Sequence, residues 1–153
     1  MTQKTMLIAT SAIVLLALSF TLLPALRAQD ATDGATKPDA KERVFEMRTY
    51  HCSPGKLPAL QKRFREHTVK LFEKHGMTNI GYWTPMEGQP GAGDTLIYVL
   101  AYDSVADQKK AWAAFRDDPE WKKVKAASEA DGIPLAAKVD SVTMKATDYS
   151  GIR

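Results

Sequence analysis

The chain has 153 residues, 44% of them hydrophobic and 25% charged, which is the composition of one ordinary globular domain. Its 21 basic and 18 acidic side chains give a net charge of +3, but two of the basic ones, Lys4 and Arg27, lie in the first 28 residues. Without that segment 19 basic side chains face 18 acidic ones. A domain this close to neutral gives no reason to expect a concentrated basic surface. We therefore expect no nucleic-acid partner.

Residues 1–28 have the parts of a secretory signal peptide. Lys4 supplies a positive charge, an uncharged apolar stretch follows it, and residues 26–28 fit a cleavage site. The apolar stretch of about 18 residues is also just long enough to cross a bilayer, so an uncleaved anchor is the alternative. Both interpretations predict an exported protein, periplasmic or extracellular, which meets a membrane only if the segment stays uncleaved.

The folded part of the chain is expected to begin well after this signal. Residues 29–43 contain no large apolar side chain and include Gly34 and Pro38, so they predict a flexible linker. The domain is then expected over residues 44–149, a size that supports one hydrophobic core. Cys52 is the only cysteine, so an internal disulfide is excluded and the fold must depend on packing.

Hydrophobic periodicity predicts a strand and a long helix at the start of the domain. Residues 44–51 alternate between apolar and more polar side chains, as a half-buried strand does. Residues 56–75 carry the helical period, and Gly76 follows where a glycine commonly ends a helix. A first β-α pair is therefore expected.

The second half of the domain adds three strands and a second helical region. Residues 77–86 and 95–102 are strand-like, with no room for a crossover between them, so they predict an antiparallel hairpin. Ser104 begins a helix, Asp118 restarts it, and residues 139–147 alternate as a last strand. The order β-α-β-β-α-β predicts an α+β, ferredoxin-like fold: a four-stranded antiparallel sheet with helices on one face.

The other face of this sheet has no helix to cover it, and the alternation predicts which side chains it carries. In the first strand the more apolar side chains, Phe45 and Met47, are expected beneath the helices. The opposite set is then expected on the open face: Glu46, Arg48, Tyr50, Leu96, Tyr98, Leu100 and Tyr102. So large an apolar patch exceeds what a monomer normally exposes, and we expect a second copy to bury it in a homodimer.

A pocket within such a dimer is the candidate ligand site, lined by Glu46, Arg48, Tyr50, Trp83 and Tyr98. A mainly apolar pocket with a few polar groups is typical of a small-molecule site. Two interpretations of the charged pair stay open. Either Glu46 and Arg48 form a structural salt bridge, or Arg48 anchors an anion or oxyanion while Tyr50 or Tyr98 donates a hydrogen bond.

The sequence identifies no catalytic residue, metal ligand or cofactor motif. His67 and His75 are eight residues apart, about 12 Å along a helix, which is too far for both to bind one metal ion. His51 and Cys52 are neighbours on a strand and point to opposite faces, so they make a poor catalytic pair. Nucleophile elbow, HExxH, phosphate-loop and dinucleotide motifs are absent from the sequence. We therefore expect neither a metal nor a cofactor.

Five short motifs, in this order and spacing, resemble the NIPSNAP family of the dimeric α+β barrel superfamily: FEMRTY (45–50), PGK (54–56), KHG (74–76), IGYW (80–83) and DPEW (118–121). The resemblance covers residues 44–144. It implies a ferredoxin-like monomer whose sheet pairs with that of a second copy to close a barrel, and it implies no established reaction.

Other features of the family transfer less directly. Eukaryotic members are associated with mitochondria and with vesicle or protein interactions, a setting from which the export signal departs. Related superfamily members include small monooxygenases and haem-degrading enzymes, but their haem-ligating histidine has no matching motif in this sequence.

Two functions fit these features. The first is an exported homodimer that binds a small apolar or aromatic ligand, or a protein partner. The second is a cofactor-independent monooxygenase- or isomerase-like enzyme, in which Arg48 and the aromatic side chains of the pocket polarise a substrate oxygen inside the barrel. An open cavity with Arg48 unpaired favours a ligand site, whereas a filled interior with Arg48 bound to Glu46 favours a structural role.

Overall fold

A computed structural model describes residues 42–153 of the protein. The predicted signal peptide, residues 1–28, and residues 29–41 of the predicted linker lie outside the described residues. Within the described part, no helix combines the length and the apolar character needed to cross a membrane.

The described residues form four strands and four α-helices, with a π-helical turn joining the first two helices. In chain order they are β1 (Val44–Cys52), α1 (Leu57–Arg63), the π turn (Phe64–Thr68), α2 (Val69–Lys74), β2 (Thr78–Trp83), β3 (Thr95–Tyr102), α3 (Val105–Asp117), α4 (Pro119–Ser128) and β4 (Ala136–Lys145). The predicted order of elements is confirmed. The π turn was not predicted, and β4 begins earlier than expected.

Local sequence sets the points at which the helices begin and end. The Ser104 side chain accepts a hydrogen bond of 3.1 Å from the backbone N–H of Asp107 at the start of α3, as the capping pattern predicted. The Asp118 carboxylate accepts one of 2.7 Å from the backbone N–H of Glu120 and so caps α4. Gly76 has a φ of +77°, the left-handed conformation in which glycine ends a helix.

The four strands form one antiparallel sheet in the order β2-β3-β1-β4. This is the predicted ferredoxin-like α+β fold, with β1 and β3 at the centre. The register places Arg48 of β1 directly opposite Tyr98 of β3 and Ser141 of β4. Since residues paired in this way point to the same face, the register decides which side chains meet.

The helices pack on the face of the sheet that carries Glu46, Arg48 and Tyr50, so the predicted assignment of faces is wrong. The core cluster joins strand side chains (Leu96, Tyr98, Leu100 and Tyr102) to helix side chains (Leu60, Phe64, Phe72, Trp112 and Phe115). We call this side the covered face. The prediction failed because Glu46 and Arg48 bind each other and further polar partners, and a polar side chain with such partners can be buried.

The opposite side, which no helix of the described residues covers, is the uncovered face. Met47 lies there with its two register partners, Val99 on β3 and Val142 on β4. Val142 is 50% exposed and Trp83 is 52% exposed. Phe45 also lies on this face, contrary to prediction, and shares a cavity of about 320 Å³ with residues near the C-terminus. The part of the uncovered face around Met47 and Val142 is therefore apolar, whereas Thr49, His51 and Asp140 make one end of it polar.

Candidate functional site

Glu46 is the centre of a buried polar network on the covered face. Only 3% of its side chain is exposed, and its carboxylate accepts hydrogen bonds from Trp112 Nε1 (2.6 Å), Ser141 Oγ (2.6 Å), Tyr102 Oη (2.8 Å) and Arg48 Nη1 (2.9 Å). Burial alone would raise the pKa of this carboxyl group, but the hydrogen bonds outweigh it and lower the pKa to about 2. Glu46 is therefore ionised and its oxygens are fully used.

Arg48 is held by this network but is not saturated by it. Its guanidinium lies 4.3 Å from the centre of the Trp112 ring and 5.7 Å from that of the Tyr50 ring. The side chain is 19% exposed. Its Nε atom is nevertheless buried and has no hydrogen-bond acceptor among the described residues.

Tyr98 supplies a second donor of the same kind. Its side chain is fully buried, and Tyr98 Oη makes no well-formed hydrogen bond within residues 42–153, although the neighbouring Tyr50 side chain interacts with it and helps to raise its pKa. Burial raises the pKa of this phenol well above its ordinary value, so the hydroxyl stays protonated and can donate. We call Arg48 Nε and Tyr98 Oη the donor pair, because their residues face each other across β1 and β3.

Aromatic rings surround the hydroxyl-bearing member of the donor pair. The ring centres of Tyr50 and Phe64 each lie 5.3 Å from that of Tyr98, and the Tyr82 ring is stacked on Tyr98 at 5.5 Å. Such rings present apolar faces and hold one another in place. The site therefore combines two free donors with a rigid aromatic wall.

The structure brings together four of the five predicted pocket residues. Glu46, Arg48, Tyr50 and Tyr98 meet, but on the covered face and not on the open face as predicted. Trp83 is separated from them: its ring lies over Gly81 on the uncovered face. The structure shows the salt bridge of the first interpretation, with Arg48 bound to Glu46, and it leaves Arg48 Nε without an acceptor in the described residues.

Sequence reasoning missed three residues that build the site: Trp112, Ser141 and Phe64. It placed a fourth, Tyr102, on the same face as Tyr98 but did not include it in the pocket. The signal was the alternation of the strand, since residues four apart lie on one face. Trp112 and Ser141 come from distant elements, and their approach to Glu46 depends on how the helices pack and on the strand register.

The other reactive side chains lie elsewhere. His51 Nε2 is 2.9 Å from Asp140 at the surface, and His75 Nε2 is 2.7 Å from Asp118. Cys52 is buried, and burial raises the pKa of its thiol, which disfavours the nucleophilic thiolate. Among residues 42–153, no group of three or more His, Cys, Asp or Glu side chains is arranged to hold a metal ion.

Comparison with known proteins identifies the family. The family model named NIPSNAP matches residues 45–151, which is most of the chain. The chain belongs to the NIPSNAP family. The predicted resemblance is thereby confirmed, and the match includes the two strands that carry the donor pair.

Solved structures agree with this assignment. A NIPSNAP family protein of unknown function from Agrobacterium tumefaciens is 21% identical, with a TM-score of 0.63 over 74% of this chain and 96% of that one. A second protein of the family from the same organism is 20% identical, with a TM-score of 0.63 over 73% and 92%. An uncharacterised NIPSNAP-like domain protein from Burkholderia xenovorans is 16% identical, with a TM-score of 0.62 over 72% and 90%. Among curated proteins no relative matches. These likenesses establish the fold of this NIPSNAP domain and not its activity.

Proposed function

We propose that this NIPSNAP domain is a homodimeric binding module for a small aromatic or apolar molecule that carries an acceptor oxygen. The donor pair is the observation that supports ligand binding, because Arg48 Nε and Tyr98 Oη are both buried without an acceptor in the described residues, and the two residues are paired across β1 and β3. Proteins rarely leave such donors unpaired. A ligand oxygen would accept from both, and the aromatic wall suits a flat apolar body.

A cofactor-independent monooxygenase or isomerase acting at this site is the alternative, and its side chains support that function less well. Proton abstraction needs a base with a pKa near the working pH. The Glu46 carboxyl has a pKa of about 2 and four hydrogen-bond donors, so it is a weak base. The raised pKa of Tyr98 keeps its hydroxyl protonated. Both groups suit holding an oxygen, and we therefore favour binding.

Thermal-shift measurements with aromatic acids, quinones, flavins and haem test the binding proposal. At least one of these classes is expected to raise the melting temperature of the wild type. Tyr98→Phe removes only the free hydroxyl, and Arg48→Ala removes the other donor, so each should weaken that ligand by about tenfold. Tyr102→Phe is the matched control, because Tyr102 is equally buried but already donates to Glu46. A wild type that no compound stabilises contradicts the proposal.

The homodimer is supported by the uncovered face. Val142 is half exposed beside Met47, and Trp83 is half exposed beside Val99; a patch of this kind is usually buried by a partner. A second copy is the simplest occupant, since two-fold dimers are the commonest oligomers. We propose that the two uncovered faces meet in the dimer.

Light scattering of matched variants tests the homodimer. Val142 is 50% exposed on the uncovered face, and Val105 is 46% exposed at the start of α3. Val142→Asp should convert the dimer to a monomer at micromolar concentration because it buries a charge in the interface, whereas Val105→Asp should leave the dimer intact. A wild type with the mass of one mature chain contradicts the proposal, as does an equal effect of both variants.

We also propose export, on the basis of the signal-like residues 1–28. Expression of the full chain in a bacterium, followed by fractionation and intact-mass measurement, tests it. Cleavage after Ala28 should release a soluble chain that begins at Gln29. Full-length protein recovered with the membrane would support the uncleaved anchor, and full-length protein in the cytoplasm would contradict export.

A further inference from the structure

A second cavity adjoins the aromatic wall of the donor pair. It has a volume of about 290 Å³ and opens between the first helical segment and the edge of the sheet. The residues that line it are Gln61, Phe64, Arg65, Val69, Tyr82, Trp83, Thr84 and Leu96. We call it the outer cavity. Its volume is close to the lower end of the range found for small-molecule sites.

Phe64 stands between the outer cavity and the donor pair. Its ring lines the cavity and also lies 5.3 Å from the Tyr98 ring and 5.9 Å from the Tyr50 ring. The side chain is only 5% exposed, so it fills the space between the two regions. Rotation of this one ring would therefore open the Tyr98 ring to the outer cavity.

The backbone at Phe64 differs from that of a regular helix. Phe64 is the first residue of the π turn, where the backbone N–H of Val69 donates to the carbonyl of Phe64, five residues back. The Thr68 hydroxyl donates to the carbonyl of Arg63 across the same turn, at 3.3 Å. Turns of this kind are rare and frequently occur at functional sites, where the extra residue changes the direction of side chains.

The polar groups at the outer cavity favour one class of ligand. Gln61 and Arg65 supply hydrogen-bond donors at its rim, and none of the described residues that line it is acidic. The aromatic rings of Phe64 and Tyr82 supply a flat apolar surface. An anionic group on an aromatic body therefore matches both the cavity and the donor pair beyond it.

We propose that the outer cavity and the donor pair form one binding site for planar aromatic carboxylates, with Phe64 as the residue that separates them and limits ligand size. This inference rests on the proposed function, since the carboxylate is bound by Arg48 Nε and Tyr98 Oη. The aromatic body of a larger ligand extends into the outer cavity after the Phe64 ring moves aside.

Isothermal calorimetry with benzoate and 2-naphthoate, two carboxylates that differ by one fused ring, tests this site. Phe64→Ala should improve the binding of 2-naphthoate relative to benzoate by about tenfold, because the larger ring no longer has to displace the phenyl group. Phe72→Ala is the matched control: Phe72 is equally buried and lies 5.8 Å from the Tyr98 ring, but it does not line the outer cavity. Phe64→Leu serves if the alanine variant does not fold.

The outcomes separate this inference from the proposed function. A selectivity change in Phe64→Ala that Phe72→Ala lacks, and that Tyr98→Phe abolishes in the double variant, supports the joined site. If wild-type binding of either carboxylate depends on Tyr98 but Phe64→Ala leaves the ratio unchanged, the role of Phe64 is overturned and the proposed function stands. If neither carboxylate binds the wild type or Phe64→Ala, the site is overturned, while the response to quinones, flavins and haem still decides the proposed function.

Discussion

The two faces of the sheet differ in the kind of side chain that they carry: one places polar groups beneath the helices, and the other exposes apolar ones. The covered face places a carboxylate, a guanidinium and the phenols of Tyr98 and Tyr102 beneath the helices. The uncovered face presents Met47 and Val142 instead. A polar group buried in the core lowers the free energy of unfolding unless it has a hydrogen-bond partner. Apolar side chains at the surface, in contrast, are tolerated in folded proteins. This difference is the reason that we propose a ligand for the covered face and a second copy for the uncovered face.

Substitution of Glu46, on the covered face, is expected to produce the largest change in stability. Glu46→Gln removes a charge that four donors share, leaves the half-buried Arg48 without its counter-charge, and places a donor NH₂ group among other donors. The free energy of unfolding should fall by about 3–5 kcal/mol, measured by denaturant titration. A loss below about 1 kcal/mol would mean that the network does not hold the covered face together.

A fall in pH is expected to produce the next largest loss of unfolding free energy, again through Glu46 on the covered face. The Glu46 carboxyl has a pKa of about 2 in the folded protein against an ordinary value of 4.5. Because the folded pKa is the lower one, the stabilisation is complete above the ordinary value and is lost as the pH falls towards 2. At about 1.4 kcal/mol for each pKa unit, the total is about 3 kcal/mol.

The Glu46→Gln variant isolates this contribution from those of other carboxyl groups. The difference in unfolding free energy between the wild type and Glu46→Gln should shrink between pH 5 and about pH 2, because only the wild type has the Glu46 proton to gain. A difference that stays constant over this range would contradict the lowered pKa.

Two tyrosines on β3 should respond oppositely to the loss of a hydroxyl group. Tyr102 Oη donates to Glu46 at 2.8 Å, so Tyr102→Phe should lower the unfolding free energy by about 1–2 kcal/mol. Tyr98 Oη makes no well-formed hydrogen bond among the described residues, so Tyr98→Phe should leave the stability unchanged or raise it by up to about 1 kcal/mol. Equal destabilisation by both variants would show that Tyr98 has an acceptor in the unliganded protein.

The fold was predictable from the sequence because its signals are local. The alternation of β1, the helical period that ends at Gly76, and the caps at Ser104 and Asp118 each depend on residues close together in the chain. The order of these elements, β-α-β-β-α-β, is that of the ferredoxin-like fold. Membership of the NIPSNAP family was predictable for the same reason, from short motifs in sequence order.

Local signals did not predict which face of the sheet the helices cover. Alternation separates Glu46 and Arg48 from Phe45 and Met47, but it does not say which set faces the helices. That choice depends on the hydrogen bond from Trp112, 66 residues away, which makes burial of Glu46 favourable. Four of the five proposed pocket residues therefore lie together, without Trp83, but on the face opposite to the one expected.

The smallest expected effect concerns the uncovered face and separates its role from that of the core. In the monomer, Val142→Asp should change the unfolding free energy by no more than about 0.5 kcal/mol, because Val142 is half exposed there. In a dimer that unfolds to monomers, each tenfold rise in protein concentration adds about 1.4 kcal/mol per dimer. The denaturation midpoint should therefore rise with concentration for the wild type and for Val105→Asp, and stay constant for Val142→Asp. A concentration-independent midpoint for the wild type, at concentrations on both sides of its dissociation constant, would mean that the uncovered face does not join two copies.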